Sequence, residues 1–455
     1  MLSGEYNFLV DNMWLTDILG VILLILPVFL IFYDKRWIFG FYIVSIVANL
    51  PLIFMMVFGF SYELILAIAI IIIIIKDLIK NKNLLLLSTK ESRAVVICLL
   101  GLMALNIITS FFQPDRSEIL LRIFIYGVNL FILLVFSYYL IGRDRLKVFK
   151  RGFLIGALIL VISMVIELIY GYYILERRRL RPGGLLLDPN VAAFALNMSL
   201  MLTFYKTKST FTETTLLLIM RILIVFAVFL TVSRSGYLST VLILSVMLVY
   251  YSKGKNRIYL WSTVSVLLLF YLIFNKVIMN FMDAMYQMID IQRVFPRSAS
   301  IGPTTDIGGG NLPWTLPQES RITLLKGGIR IFLANYIVGV GIGNVIQEMN
   351  LLVSMPLNTH NIFIQLLAES GIFMLGILLV FCYYLFHLIK KSERKQRVFQ
   401  TLILLVVGFE GLFNHNLLNL NIIYLLLAFF LALNIIYSKE QLVISISKPR
   451  RTVKA

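Results

Sequence analysis

Long runs of apolar residues without charge constrain the fold of this chain more than any other feature. The stretch 64–75 carries no charged side chain, and similar runs recur along the sequence. A helix needs about 20 apolar residues to cross the hydrocarbon core of a bilayer. Since 60% of the residues are hydrophobic and only 14% are charged, a soluble core could not bury them. The runs therefore predict an all-α fold, a polytopic transmembrane helical bundle of about 12–13 helices.

The positive charge of the chain is placed in alternate loops. The formal net charge is +18, and most of the Lys and Arg residues lie in every second loop, for example in 76–93, 143–151 and 390–397. Basic residues accumulate on the cytoplasmic side of membrane proteins. We therefore read the charge as a topology signal that puts the C-terminal tail in the cytoplasm. This reading makes membrane lipids a partner and excludes nucleic acid.

One segment breaks the rhythm of short loops and divides the chain into three parts. Residues 276–359 are more polar and contain several glycines and prolines, and loops of this length are often functional. We predict N-terminal transmembrane helices over 1–275. A large extracytoplasmic loop follows over 276–359, with short amphipathic helices near 319–335 and 343–353. Residues 360–455 form the C-terminal transmembrane helices and a basic cytoplasmic tail.

Several arginines lie on the predicted outer face, where topology gives no reason for them. Arg181 follows three further arginines at 177–179 in an outer loop, and Arg234 stands in a short outer turn, Ser233 to Gly236. They could bind lipid headgroups, and Arg234 could extend its charge to the interface. The alternative is an outward-facing site for an anion.

His360 begins the most distinctive polar pattern in the sequence. Asn361, Gln365 and Glu369 follow it at spacings of four residues, which puts them on one face of a helix. A carboxylate in a membrane helix is costly and usually marks a site, although helix capping or interhelical hydrogen bonding would also explain the stripe. Imidazole can accept and release a proton near neutral pH, so His360 is a candidate for proton transfer.

These residues together resemble the O-antigen ligase and Wzy-type polysaccharide polymerase family, over about 153–437. The resemblance rests on the order of several motifs: Arg181-Pro182-Gly183-Gly184, Asp188-Pro189-Asn190, Ser233-Arg234-Ser235-Gly236, Arg321 with the glycines at 339, 341 and 343, and His360-Asn361 with Gln365, Glu369 and Gly371. Members of this family are membrane glycosyltransferases.

The resemblance implies the activity and its setting. Such enzymes transfer or polymerise oligosaccharide repeat units linked to polyprenyl diphosphate, in the biosynthesis of O-antigen, capsule or exopolysaccharide. They act at the extracytoplasmic face of the bacterial cytoplasmic membrane. A chain-length regulator or a flippase would be a further partner.

The resemblance also assigns roles to residues. It implies that Arg234 and Arg321 bind the diphosphate and that His360 activates the acceptor. The full set of expected substrate-binding residues is Arg181, Asn190, Arg234, Arg321, Asn361, Gln365 and Glu369. Because the outer face carries no Asp-x-Asp pair, we predict a metal-independent inverting transfer without a cofactor.

Two other readings stay open from the sequence. The motifs do not separate a polymerase, whose acceptor is another lipid-linked repeat unit, from a ligase with a different acceptor. We favour the polymerase because nothing indicates a dedicated protein acceptor site. Polar residues in the helices, such as Asn106 and Glu167, would also suit a flippase or another transporter. The outer placement of the motifs argues against that class.

Overall fold

The computed structural model describes most of the helical part of the chain. The described residues are 35–58, 89–112, 117–140, 143–170, 182–205, 210–251, 318–353, 357–415 and 417–447, with isolated stretches between 17 and 73. Regular secondary structure in these ranges is helical throughout.

The helices are numbered in chain order. They are α1 (Lys35–Ala48), α2 (Leu50–Phe58), α3 (Lys90–Ser110), α4 (Ser117–Tyr139), α5 (Arg143–Tyr170), α6 (Pro189–Thr203), α7 (Phe211–Leu230), α8 (Arg234–Tyr251), α9 (Gln318–Ala334), α10 (Val345–Val353), α11 (Ile362–Ser370), α12 (Ile372–Lys391), α13 (Arg394–Gly411) and α14 (Asn421–Ser447). Short 3₁₀ helices cover Gly184–Leu186 and Leu417–Asn419.

The helices confirm the predicted fold class. Within the described ranges, six helices are long and apolar enough to cross a membrane, namely α3, α4, α5, α7, α8 and α12. The chain is a multi-pass membrane protein built from helices. The short helices predicted near 319–335 and 343–353 are present as α9 and α10. Residues 276–317, the first half of the predicted loop, lie outside the described residues, so the three-part division stays a prediction.

The chain folds into two compact units. The first comprises residues 1–24, 47–60 and 154–319, and the second comprises 25–46, 61–153 and 320–455. The first unit is centred on α6, whose residues are almost all buried and which packs against α7 and α8. In the second unit α3 packs along α12, and α4 packs along α14.

In the first unit, contacts with the end of a neighbouring helix make the charge of Arg221 tolerable within a membrane helix. Arg221 on α7 donates from Nε to the hydroxyl of Thr203 at 2.9 Å and from Nη2 to the Thr203 carbonyl at 3.1 Å. Its guanidinium also lies 4.1 Å from the ring centroid of Phe204. Because the last carbonyls of a helix lack intrahelical donors, Arg221 supplies one at the end of α6.

The second unit has a basic end and a polar end. At the basic end Glu91, in the first turn of α3, pairs with Lys391 at the end of α12. At the polar end Asn106, near the end of α3, donates to the hydroxyl of Ser370 just before α12, at 2.8 Å. The two helices therefore run antiparallel.

The structure corrects one helix boundary. The apolar pattern over 361–389 predicts one continuous helix, but in the structure α11 ends at Ser370 and α12 starts at Ile372. Gly371 between them has φ +70°, and a β-carbon there would lie 2.2 Å from the carbonyl oxygen of Ile337. The helix breaks at Gly371 because the loop between α9 and α10, which contains Ile337, approaches the Gly371 backbone closely. With nine residues, α11 is only about 13 Å long, too short to span a bilayer.

Candidate functional site

A polar cavity of about 410 Å³ lies in the second unit. Its volume falls within the range of small-molecule sites. The lining comes from α4, α10, α11 and the turn before α14 and consists of Arg122, Tyr126, Gly343, Asn344, Ile346, Gln347, Asn358, Ile362, Gln365, Leu366, Glu369, His415, Leu418 and Asn419. Most of the lining residues have polar side chains, although the chain as a whole is mostly hydrophobic.

Glu369 is the carboxylate of the cavity and is held by hydrogen bonds from three directions. Its Oε1 accepts from Gln365 Nε2 at 2.8 Å and from the backbone N–H of Gly343 at 3.5 Å, and its Oε2 accepts from Asn106 Nδ2 at 3.2 Å. The residue is only 5% exposed. These donors meet the requirement that a buried polar group be hydrogen-bonded, and they fix the position of the carboxylate.

Packing against the end of α11 determines the backbone conformation of the glycine-rich segment 339–343. The N–H groups of Val340 and Gly341 each donate at 2.9 Å, to the carbonyls of Ala368 and Glu369. Gly339 has φ +77°, and a β-carbon there would lie 2.4 Å from the backbone of Glu369. Only glycine combines this dihedral with this approach. The glycine spacing over 339–343 predicts a tight turn with close backbone approach, and the structure has both at Gly339.

The predicted polar stripe of α11 is present, and its members have different tasks. Asn361 caps the helix, since its Oδ1 accepts from the N–H groups of Phe363 at 3.0 Å and Ile364 at 3.1 Å. Gln365 extends toward the cavity, where its Nε2 also donates to Asn358 Oδ1 at 3.1 Å. The capping explanation therefore applies to Asn361, whereas Gln365 and Glu369 line the cavity.

His360 meets a second histidine that is distant in sequence. Its ring lies edge to face with that of His415, with centroids 5.3 Å apart and an interplanar angle of 89°. His360 has φ +54°, a left-handed conformation that non-glycine residues adopt rarely and often at functional sites. His415 lines the cavity, and His360 lies next to it through this ring contact.

The sequence interpretation missed the contribution of α4 to this site. Arg122 lines the cavity and donates from Nη1 to Asn419 Oδ1 at 2.5 Å. Tyr126 donates to Asn106 Oδ1 at 2.7 Å and so supports a donor of Glu369. The sequence feature that could have revealed this contribution is the spacing of four residues between Arg122 and Tyr126, which puts both on one helical face.

The first unit positions Asn190 beside the start of α8, where Arg234 is the first residue. Ser233 donates from its hydroxyl to Asn190 Oδ1 at 2.9 Å and accepts from the N–H of Gly236 at 3.2 Å. A β-carbon at Gly236 would lie 2.6 Å from Ala193, so the two helices approach closely at this point. The start of a helix carries a partial positive charge, and Arg234 adds a full one.

The loop after Arg181 is also built into the first unit. Glu167 Oε2 accepts from the N–H of Gly184 at 2.7 Å, and Asn49 Nδ2 donates to the carbonyl of Leu185 at 2.8 Å. Arg181 itself lies outside the described residues. Glu167, which the sequence offered as a possible conduit residue, is here a support for the loop.

The structure brings the predicted site residues together in two groups. One group, with His360, Asn361, Gln365 and Glu369, lies in the second unit, and Arg321 is on α9 of the same unit. Asn190 and Arg234 lie in the first unit. That Arg234 and Arg321 share a ligand with His360 stays a prediction.

The membrane helices define a multi-pass membrane protein. The polar cavity gives it a candidate binding site. Residues 219–381 match the family model described as O-antigen ligase. The match confirms the family resemblance carried by the motifs, and the matched segment contains Arg234, Arg321, His360 and Glu369. The comparison with curated proteins gives no match.

Proposed function

We propose that this protein is a glycosyltransferase that transfers or polymerises polyprenyl-diphosphate-linked oligosaccharide repeat units in surface polysaccharide biosynthesis. One observation carries the proposal. The hydrogen-bonded carboxylate of Glu369, which lines the cavity, and His360, whose ring contacts the cavity-lining His415, belong to a segment that matches the O-antigen ligase model. The polar cavity is suited to a small polar group.

The two ends of the second unit support placing the reaction at the extracytoplasmic face. Lys391 and Glu91 mark the basic end, and Asn106 and Ser370 mark the end that holds the cavity. The 21-residue helix α3 is about 31 Å long from its first to its last residue, which matches a hydrocarbon core, and Asn106 lies about one turn before its end. If the basic end is cytoplasmic, the cavity opens on the outer side of the bacterial cytoplasmic membrane.

The proposed chemistry is a displacement at the anomeric carbon. His360 accepts the proton of the acceptor hydroxyl as its oxygen bonds to that carbon, and the bond from the carbon to the diphosphate breaks. Negative charge grows on the leaving diphosphate, where Arg234 and Arg321 stabilise it through charge-assisted hydrogen bonds. Arginine suits this task because its planar fork is always charged. No metal is required in this scheme.

Polymerase and ligase remain two versions of the same proposal. The description of the matching family favours a ligase, which would use a different lipid or protein as acceptor. A polymerase would use a second lipid-linked repeat unit, and neither this chain's cavity nor its motifs require another type of acceptor. The site residues and the leaving group are the same in both.

Reconstitution of the purified protein with lipid-linked repeat units tests the proposal. The products are separated on a gel after incubation in liposomes. A ladder supports a polymerase, and a single larger product that forms only with an added acceptor supports a ligase. Unmodified substrate that has moved between leaflets would contradict glycosyl transfer and indicate a transporter.

A further inference from the structure

Among the described residues, Arg122 is the arginine that lines the cavity, and neither the motifs nor the matched segment 219–381 includes it. It lies on α4, which is apolar at most positions around it. A guanidinium in a membrane helix is costly and usually has a functional reason. Its hydrogen bond to Asn419 orients the side chain along the cavity wall.

The charge of Arg122 is not neutralised by the carboxylate of the same cavity. Glu369 accepts its hydrogen bonds from Gln365, Asn106 and the backbone of Gly343. Among the described residues, no ion pair joins Arg122 to Glu369, and the Asn419 amide is the acceptor found for its guanidinium. Since arginine has five N–H donors in a fixed fork, most of them can serve a ligand.

The rest of the lining has the chemistry of a sugar site. Five carboxamide side chains surround the cavity, Asn344, Gln347, Asn358, Gln365 and Asn419. A carboxamide both donates and accepts hydrogen bonds. The Gln365 amide is engaged by Asn358 and Glu369, whereas the Nδ2 of Asn358 and the Oδ1 of Asn344 can contact the hydroxyl groups of a pyranose. Four aliphatic residues, Ile346, Ile362, Leu366 and Leu418, complete the lining and can contact the apolar face of a sugar ring.

We infer that the cavity binds an anionic sugar of the acceptor glycan, one that bears a carboxylate or a phosphate. Arg122 pairs with the negative group, Asn419 holds the guanidinium in place, and the carboxamides contact the sugar hydroxyls. This inference rests on the proposed function, because it assigns the cavity to the acceptor. Arg122 is then a specificity-determining residue of the enzyme, with Asn419 as its positioning residue.

A binding experiment without donor substrate tests the inference independently of turnover. The full chain in lipid nanodiscs is titrated with methyl glucuronide, glucose 6-phosphate and neutral methyl glucoside, and each Kd is measured by calorimetry or saturation-transfer NMR. We expect at least one anionic sugar to bind about tenfold more tightly than the neutral one, as one charge-assisted contact would provide. The tighter of the two tells carboxylate from phosphate.

Three variants provide the controls. Arg122→Gln should bring the anionic and neutral sugars to about the same Kd, and Arg122→Lys should retain part of the preference because it keeps the charge but loses the fork. Arg330→Gln removes an equal charge from an exposed position on α9 outside the cavity, and it should bind like the wild type. Thermal melting in detergent establishes that each variant is folded.

The inference is overturned if the wild type shows no preference for anionic sugars or if Arg122→Gln keeps it. It is also overturned if pyrophosphate alone binds with the same dependence on Arg122, since the cavity would then hold the donor headgroup. Transfer from a lipid-linked donor is assayed separately on the same preparations. Transfer without anion preference removes only this inference, whereas anion preference without any transfer removes the proposed function.

Discussion

The imidazole rings of His360 and His415 lie edge to face with centroids 5.3 Å apart, although 55 positions separate them in the chain. One stands before α11 and the other precedes the 3₁₀ turn that leads into α14. Their contact gives the candidate general base a second imidazole as a neighbour. The fold thus joins two histidines that are distant in the sequence into one pair.

Replacement of His415 should reduce transfer without removing it. His415→Ala deletes the neighbour of His360 and leaves that residue in place, so we expect a decrease in kcat of about tenfold, smaller than the loss of a general base. The KM for the lipid-linked donor should stay within about twofold. Steady-state kinetics in detergent micelles measures both. If His415→Ala lowers kcat more than His360→Ala does, His415 is the general base and His360 is its neighbour.

Gly339 should tolerate no side chain. Gly339→Ala puts a β-carbon 2.4 Å from the backbone of Glu369 at a φ of +77°, so we expect a loss of about 2 kcal/mol or more in stability. Thermal melting in detergent reads this out. The matched control is Gly376→Ala in α12, where a β-carbon meets nothing within 4 Å, and alanine there should leave melting unchanged or raise it. Equal melting of the two variants would contradict the close approach.

Asn106 should support the site through Glu369. It donates to Glu369 and Ser370 and accepts from Tyr126, so Asn106→Ala leaves buried polar atoms without partners. We expect about 2–4 kcal/mol of lost stability and reduced kcat/KM in the fraction that stays folded. Asn335→Ala, at an exposed position, is the control and should change the stability by no more than about 0.5 kcal/mol. Unchanged melting of Asn106→Ala would refute the network.

Asn190 and Ser233 should be energetically coupled. Their side chains share a hydrogen bond of 2.9 Å, so the effects of Asn190→Ala and Ser233→Ala on stability should be non-additive by about 1 kcal/mol. Both should raise the KM for the lipid-linked donor, because Arg234 follows Ser233. Ser245→Ala in α8, where the hydroxyl bonds within the helix, is the control and should add to Asn190→Ala without coupling.

How much the sequence revealed depends on whether the relevant contacts are local. The stripe of Asn361, Gln365 and Glu369 was predictable because helical periodicity fixes which residues share a face. The break at Gly371 was not, because it depends on the carbonyl of Ile337, which reaches it through tertiary packing. Local periodicity predicts one long helix over this segment, but packing against the loop that contains Ile337 interrupts it.

The composition of the cavity was hidden from the sequence for the same reason. Arg122 and Asn419 are separated by 297 positions, and their hydrogen bond exists only after α4 and the turn before α14 meet. Isolated in an apolar helix, Arg122 carried no indication of its partner. The outer arginines were visible as violations of the positive-inside pattern, whereas Arg122 lay inside a helix where that pattern makes no statement.

Glycosyl transfer at the cavity is tested most directly by the initial rate at which the reconstituted protein releases polyprenyl diphosphate from a lipid-linked repeat unit. The wild type is compared with His360→Ala and with His387→Ala, which removes a histidine at the basic end of α12, 3.7 Å from Glu91. The account predicts release by the wild type and His387→Ala and a decrease of about 10² to 10⁴-fold for His360→Ala. Release at the wild-type rate by His360→Ala, with the protein folded and inserted, would contradict it.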